Sequence, residues 1–197
     1  MFRAILFDMD GVLVDSYLVW FHLLRDVARR LGYPDISPEA FHAAWGQGVA
    51  ADVRVFYPDH TESQIEAAYA AHYDAHARHH RIDPDARSVF TALRRVGRSI
   101  AVITNTPTQI AGPVLDRAGL TPDLLVGGTD VPQGKPAPDM VLRAPAHFCV
   151  PAGEAVVVGD TDNDRRAAAA AGVRFLGLRI DGDDRVEELS EVVDRVS

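Results

Sequence analysis

The chain has 197 residues, 47% of them hydrophobic, 24% charged and 8% aromatic, with 15 Gly and 12 Pro, a balance that excludes disordered, collagen-like and coiled-coil chains. Twenty Lys and Arg against 28 Asp and Glu leave a net charge of −8, so there is no basic field to gather a phosphate backbone and nucleic acid is not an expected partner. The single cysteine, Cys149, cannot close an internal disulfide, and the N-terminal apolar stretch stops at Asp8, short of the roughly 20 residues of a signal or membrane segment; a cytoplasmic protein with no membrane association, monomeric or homodimeric, is expected.

Ala4-Ile5-Leu6-Phe7, ending at Asp8, is a short apolar run of the kind a buried strand presents. From about Asp15 to Arg81 the pattern becomes helical, with two or more segments rich in Ala, His, Arg and aromatics and no strand-like run of comparable strength. Strand-like runs then return as Ser99–Ile103 before Thr104, Leu124–Val126 before Gly127, Ala155–Val158 before Gly159-Asp160, and Val173–Leu178. Five strands separated by amphipathic helices predict an α/β fold, a Rossmann-like parallel sheet. The long gap after the first strand predicts an inserted α-helical cap over residues 15–83, with the core in residues 1–14 and 84–197. Asp164 stands near the start of a helix over Arg165 to Ala171, which Gly172 ends, while Pro145 should shorten or kink the helix over Met140 to Phe148.

Ligands of an open parallel sheet bind beyond the carboxyl ends of its strands. Those positions read Asp8-Met9-Asp10-Gly11, Thr104-Asn105-Thr106 and Gly159-Asp160-Thr161-Asp162-Asn163-Asp164, with Gly134-Lys135-Pro136-Ala137-Pro138-Asp139 between the third and fourth strands. Carboxylates converging on one point repel unless a cation neutralises them, and hard oxygen ligands suit Mg²⁺, whose usual companion is a phosphate. Lys135 adds a second positive charge, and Thr104 with the amides after it offers hydrogen bonds to phosphate oxygens.

These residues resemble the haloacid dehalogenase superfamily of phosphatases. Asp8-Met9-Asp10-Gly11-Val12-Leu13-Val14-Asp15-Ser16 is similar to its first motif, Thr104 to the second, Lys135 in Gly-Lys-Pro-Ala-Pro-Asp to the third, and Gly159-Asp160 with Asp164 to the fourth. The segment Val126 to Val131 and the Ala-rich helix ending at Gly172 are similar to the phosphoglycolate phosphatase-like branch, which has a small helical cap. The resemblance implies that Asp8 is the nucleophile that forms an aspartyl-phosphate and Asp10 the general acid and base. It implies Mg²⁺ held by Asp8, the Asp10 main-chain carbonyl and Asp160, with Asp164 either behind them, orienting Lys135 or a metal-bound water, or ligating directly. Thr104, Asn105 and Lys135 are implied at the phosphate. The expected substrate is a small phosphorylated metabolite, with phosphoglycolate the one the resemblance points to first.

The same chemistry is available to a phosphomutase of the superfamily, which retains its substrate for a second transfer. A phospho-aspartate receiver domain also combines acids, Thr and Lys, but lacks a large insertion after its first strand and carries its acceptor elsewhere. A nucleotide-binding P-loop fails because five residues separate Gly128 from Gly134 and Pro136, not Ser or Thr, follows Lys135. Within the insertion, Gly46-Gln47-Gly48 is equally a loop reaching the site or a plain turn, and Arg54, Arg78 and Arg81 are candidate substrate contacts for which a solvated role is favoured. His72, His76, His79 and His80 read as a polar helix face rather than a zinc site, Asp162 as solvated, and Cys149 as a small packed hydrophobe.

Overall fold

The computed structural model describes residues 1–196. The strands are β1 (Ala4–Phe7), β2 (Val14–Asp15), β3 (Arg81–Ile82), β4 (Ser99–Ile103), β5 (Leu124–Val126), β6 (Ala155–Gly159), β7 (Arg174–Leu178) and β8 (Asp184–Val186). The helices are α1 (Tyr17–Arg30), α2 (Pro38–Ala44), α3 (Val49–Phe56), α4 (Glu62–His72), α5 (Ala86–Arg95), α6 (Thr108–Ala118), α7 (Asp139–Phe148), α8 (Asp162–Ala171) and α9 (Val192–Val196). Six strands form one sheet in the order β5-β4-β1-β6-β7-β8, every neighbouring pair parallel. The chain winds outward from β1 through β4 to β5, then returns to lay β6 on the other side of β1. The crevice between β1 and β6 is therefore the switch point of the sheet, where an open α/β fold binds its ligand.

Parallel strands covered on both faces alternate their side chains between two cores. Ile5, Phe7, Ile100, Val102, Val156 and Val158 point to one, which also takes residues of α1, α5, α6 and α9; Ala4, Leu6, Ala101, Ile103, Ala155 and Val157 point to the other, closed by α7 and α8. The five expected strands are present; β8, three residues with charged Asp184 and Arg185, carried no apolar run to announce it. Helices α1 to α4 all fall between the short antiparallel partners β2 and β3. Among the described residues no helix is long and apolar enough to cross a membrane.

Local chemistry sets the helix ends. Thr161 caps α8 with a reciprocal Thr161–Asp164 capping box, which starts the helix at Asp162, and Gly172 closes it at φ +66°. Pro145 lies inside α7, which nevertheless continues to Phe148; its ring removes the donor that would reach the Val141 carbonyl, so the helix forgoes one bond without ending there. Cys149 is exposed rather than packed, because it takes the left-handed C-cap position of α7 at φ 54°.

Gly11 turns the chain after β1 at φ +86°, and a Cβ there would stand 2.1 Å from Asp160 Oδ2. Gly11→Ala is expected to destabilise the fold by about 1–3 kcal/mol through the left-handed backbone alone. A lowered urea midpoint with unchanged slope is the expected reading, and an unshifted midpoint would contradict it.

Candidate active site

The candidate side chains leave the carboxyl ends of adjacent strands. Asp8 follows β1, Thr104 follows β4 and Asp160 follows β6, while Lys135 descends from the loop between β5 and α7. The buried Lys135 Nζ lies 2.8 Å from Asp8 Oδ1 and 2.5 Å from Asp164 Oδ1, and donates to the Ile103 carbonyl at 3.1 Å. Asp8 Oδ1 also accepts the Met9 N–H at 2.7 Å. Asp164 Oδ2 accepts from the Thr161 N–H at 3.1 Å and hydroxyl at 2.5 Å, so the capping-box partner of Thr161 also anchors Lys135. Both carboxylate oxygens of Asp164 are thereby engaged.

Asp8, Asp160 and Asp164 each bring one oxygen within 4.8 Å of the others. Three carboxylates face one ammonium. Burial, with the Asp164 charge, pushes Asp8 well above the usual carboxylate range against the pull of Lys135. Burial and Asp164 push Asp160 up to about 7. For Lys135, burial opposes its charge but the Asp164 and Asp8 carboxylates outweigh it, and the net shift is upward. Asp160 Oδ1 is buried with no hydrogen-bond partner, and the missing side chain of Gly11 leaves room beside Asp160. An excess of buried negative charge and an orphaned oxygen fit a hard divalent cation taking oxygen ligands.

The Asp10 side chain lies outside this cluster. Its Oδ1 accepts from the Ser16 hydroxyl and from Trp20 Nε1 at 3.1 Å; its Oδ2 accepts from the hydroxyls of Thr104 at 3.1 Å and Thr106 at 2.7 Å. A hydroxyl both donates and accepts, so three of these four partners can rotate to suit either the carboxylate or the acid. The ring therefore fixes the orientation of the Asp10 carboxyl. Ser16, Trp20 and Thr106 had no assigned role in the sequence; the available signals are the four-residue spacing of Ser16 and Trp20 and the adjacency of Thr106 to Thr104.

Asn105 spends its side chain on scaffolding. Nδ2 donates to the carbonyls of Gly46 at 3.0 Å and Lys135 at 2.8 Å, and Oδ1 accepts the Lys135 N–H at 2.8 Å. Asn163 Nδ2 holds the same Gly46 carbonyl at 3.0 Å, so the Gly46-Gln47-Gly48 loop does reach the strand ends. Trp20, Phe41, Trp45 and Gln47 wall the cleft above Asp8, Asp10 and Lys135. Arg54, Arg78 and Arg81 are exposed and do not line it. None of the insertion histidines lines it; His22 stacks on His79 at 4.6 Å and His80 Nε2 meets the Tyr73 hydroxyl at 2.8 Å.

Residues 2–172 match the family of haloacid dehalogenase-like hydrolases. A phosphoglycolate phosphatase of Pseudomonas putida is 33% identical over 187 residues, 89% of this chain and 69% of that protein. The structure of CbbY from Rhodobacter sphaeroides in complex with phosphate is similar at a TM-score of 0.83 and 24% identity, covering 98% of this chain and 96% of that one. β-Phosphoglucomutase from Clostridium difficile has a TM-score of 0.83 at 16% identity, over 98% and 93% of the two chains. Those two likenesses speak to the fold. Because the family match runs from β1 to the end of α8 and includes Asp8, Asp10, Thr104, Lys135, Asp160 and Asp164, the chain belongs to the haloacid dehalogenase-like hydrolases.

Proposed function

We propose that the protein is a Mg²⁺-dependent phosphomonoester hydrolase that acts on a small phosphorylated metabolite through an aspartyl-phosphate on Asp8, with residues 15–83 as a cap over the core. The observation that carries this reading is Asp8 held 2.8 Å from Lys135 at the floor of a cleft that Asp10 also lines. A nucleophilic carboxylate, a fixed cation for the phosphoryl oxygens and an acid beside the leaving group are what the reaction asks of a protein. The phosphatase activity named for the Pseudomonas relative supports the same class.

Asp8 attacks phosphorus, and the new Asp8–phosphate bond forms as the ester P–O bond breaks and Asp10 gives its proton to the departing alkoxide. In the second half, Asp10 takes a proton from the water that attacks the same phosphorus, the bond to Asp8 breaks, and inorganic phosphate leaves. Lys135, the Asn105 main-chain N–H and the Thr104 hydroxyl stabilise the charge on the phosphoryl oxygens. Asp8, Asp160 and the Asp10 main-chain carbonyl would hold Mg²⁺, while Asp164 keeps Lys135 in place. When bound, the ion neutralises the surplus of carboxylate charge and the negative charge of the phosphoryl group.

Phosphate release from a panel of small phosphomonoesters should require Mg²⁺ and stop with EDTA; ester consumed without inorganic phosphate would point instead to a mutase. Asp10→Asn is expected to lower kcat/KM for alkyl phosphates by about 10²–10⁴-fold. The loss should be far smaller for p-nitrophenyl phosphate, whose leaving group departs without a proton. Equal losses on both esters would remove Asp10 from the acid role.

A further inference from the structure

The cleft above Asp8 holds a cavity of about 50 Å³ that opens to solvent. Its walls are aromatic and apolar, dominated by Trp20, Phe41 and Trp45, and its polar lining includes a third acid, Asp52, which the reaction described above does not use. Asp52 is buried in the first turn of α3. Its Oδ1 accepts from Gln47 Nε2 at 3.2 Å and its Oδ2 from the Tyr69 hydroxyl at 3.0 Å. Among the described residues no cation partners it. Among the described residues Lys135 is the one cation lining the cleft, and it is already engaged by Asp8, Asp164 and the Ile103 carbonyl. The positive end of α3, which would otherwise attract an anion, carries this acid.

A second anionic group, beyond the phosphoryl group that Lys135 faces, would meet Asp10 and Asp52 in this cleft with no further cation to compensate it, and a buried charge without a partner is strongly disfavoured. A carboxylate has about four acceptor positions, and two of those on Asp52 are filled by protein donors, leaving room for a donor from a ligand. Building on the phosphomonoesterase reading, we propose that Asp52 sets specificity in the cap: it accepts a leaving group that carries a hydrogen-bond donor, hydroxyl or ammonium, on a small apolar body, and rejects a leaving group that carries a carboxylate, glycolate included. Burial pushes Asp52 up to about 7 against the pull of Tyr69 and Gln47, so the acid is fully charged, and rejection of a carboxylate complete, above that pH. Rejection by an uncompensated buried acid is specificity through an unfavourable contact, the counterpart of a new attractive one.

The test is kcat/KM of the Mg²⁺-loaded enzyme on four esters of similar size: phosphoglycolate, ethyl phosphate, 2-hydroxyethyl phosphate and 2-aminoethyl phosphate. The better of the two donor-bearing esters should exceed ethyl phosphate by about tenfold and phosphoglycolate by more, and its identity distinguishes hydroxyl from ammonium. Asp52→Asn, checked by thermal melting, should raise phosphoglycolate relative to the donor-bearing esters by about tenfold, mainly through KM. A wild-type preference for phosphoglycolate, or no advantage over ethyl phosphate, overturns the proposal whether or not the variant folds, and so does an unchanged ratio in a folded variant. Hydrolysis of none of the four overturns the phosphomonoesterase reading itself, and this proposal with it.

Discussion

Asp8→Asn is expected to reduce phosphate release by about 10⁴-fold or more, because an amide cannot serve as the nucleophile and the remaining groups act only on a bond it no longer attacks. The same substitution should leave the metal-free protein at least as stable as wild type at pH 8. Burial, Asp164 and Asp160 hold Asp8 above its ordinary value, so its ionisation opposes folding. The sign follows from linkage: a carboxyl raised in the folded state keeps a proton that the unfolded chain releases above about pH 4, so stability falls as pH rises through that window. Asparagine removes this loss. In EDTA, the melting temperature of Asp8→Asn should exceed that of wild type at pH 8, and the gap should close toward pH 4. Substantial phosphate release by the variant would remove Asp8 from the nucleophile's role, and a variant that melts far below wild type at pH 8 would reverse the electrostatic assignment.

Lys135→Met carries the second large effect. Lys135 is 5% exposed, and its ammonium stands between Asp8 and Asp164. Removing it leaves two buried carboxylates facing each other without their shared counter-charge, for which about 3–5 kcal/mol of lost stability is expected at neutral pH. Lys135 is itself raised above its ordinary value, so it stays charged through the neutral range and its contribution does not fade there. The destabilisation should shrink in acid, as Asp8 takes up a proton. Activity should fall by about 10²–10³-fold, the typical result of removing one preorganised donor from a developing charge. Urea denaturation at pH 7 and pH 5 reads the first effect; equal losses of stability at both would mean that Lys135 acts through packing of its stem rather than through the ion pair.

Glycine 11 and the Asp10 ring explain why some of the site was legible in the sequence and some was not. Asp8-Met9-Asp10-Gly11, Thr104, Lys135 and Gly159-Asp160 announce themselves because each follows a buried strand or a proline-stiffened loop, where a polar residue interrupts an apolar run. The central strands β1, β4 and β6 were readable for the same reason: covered on both faces, they must be apolar throughout. Edge strand β8 has no such requirement and left no signal. Trp20, in α1 of the insertion, and Thr106, just after β4 of the core, meet at Asp10, so their relation depends on how α1 lies over the strand ends.

By itself, the sequence determined the parallel α/β core, the helical character of residues 15–83 and the strand-end acids with their lysine. All of these rest on local periodicity and on residue types that act within a few positions of each other. Tertiary structure alone decided that Asp164 engages Lys135, that the Asn105 side chain ties two loops together, that Asp10 is ringed by hydroxyls and an indole, and that Asp52 shares the cleft above Asp8 with no cation in contact with it. Each of these depends on which oxygen or nitrogen lies within about 3 Å of another, a distance that chain folding sets and sequence spacing does not.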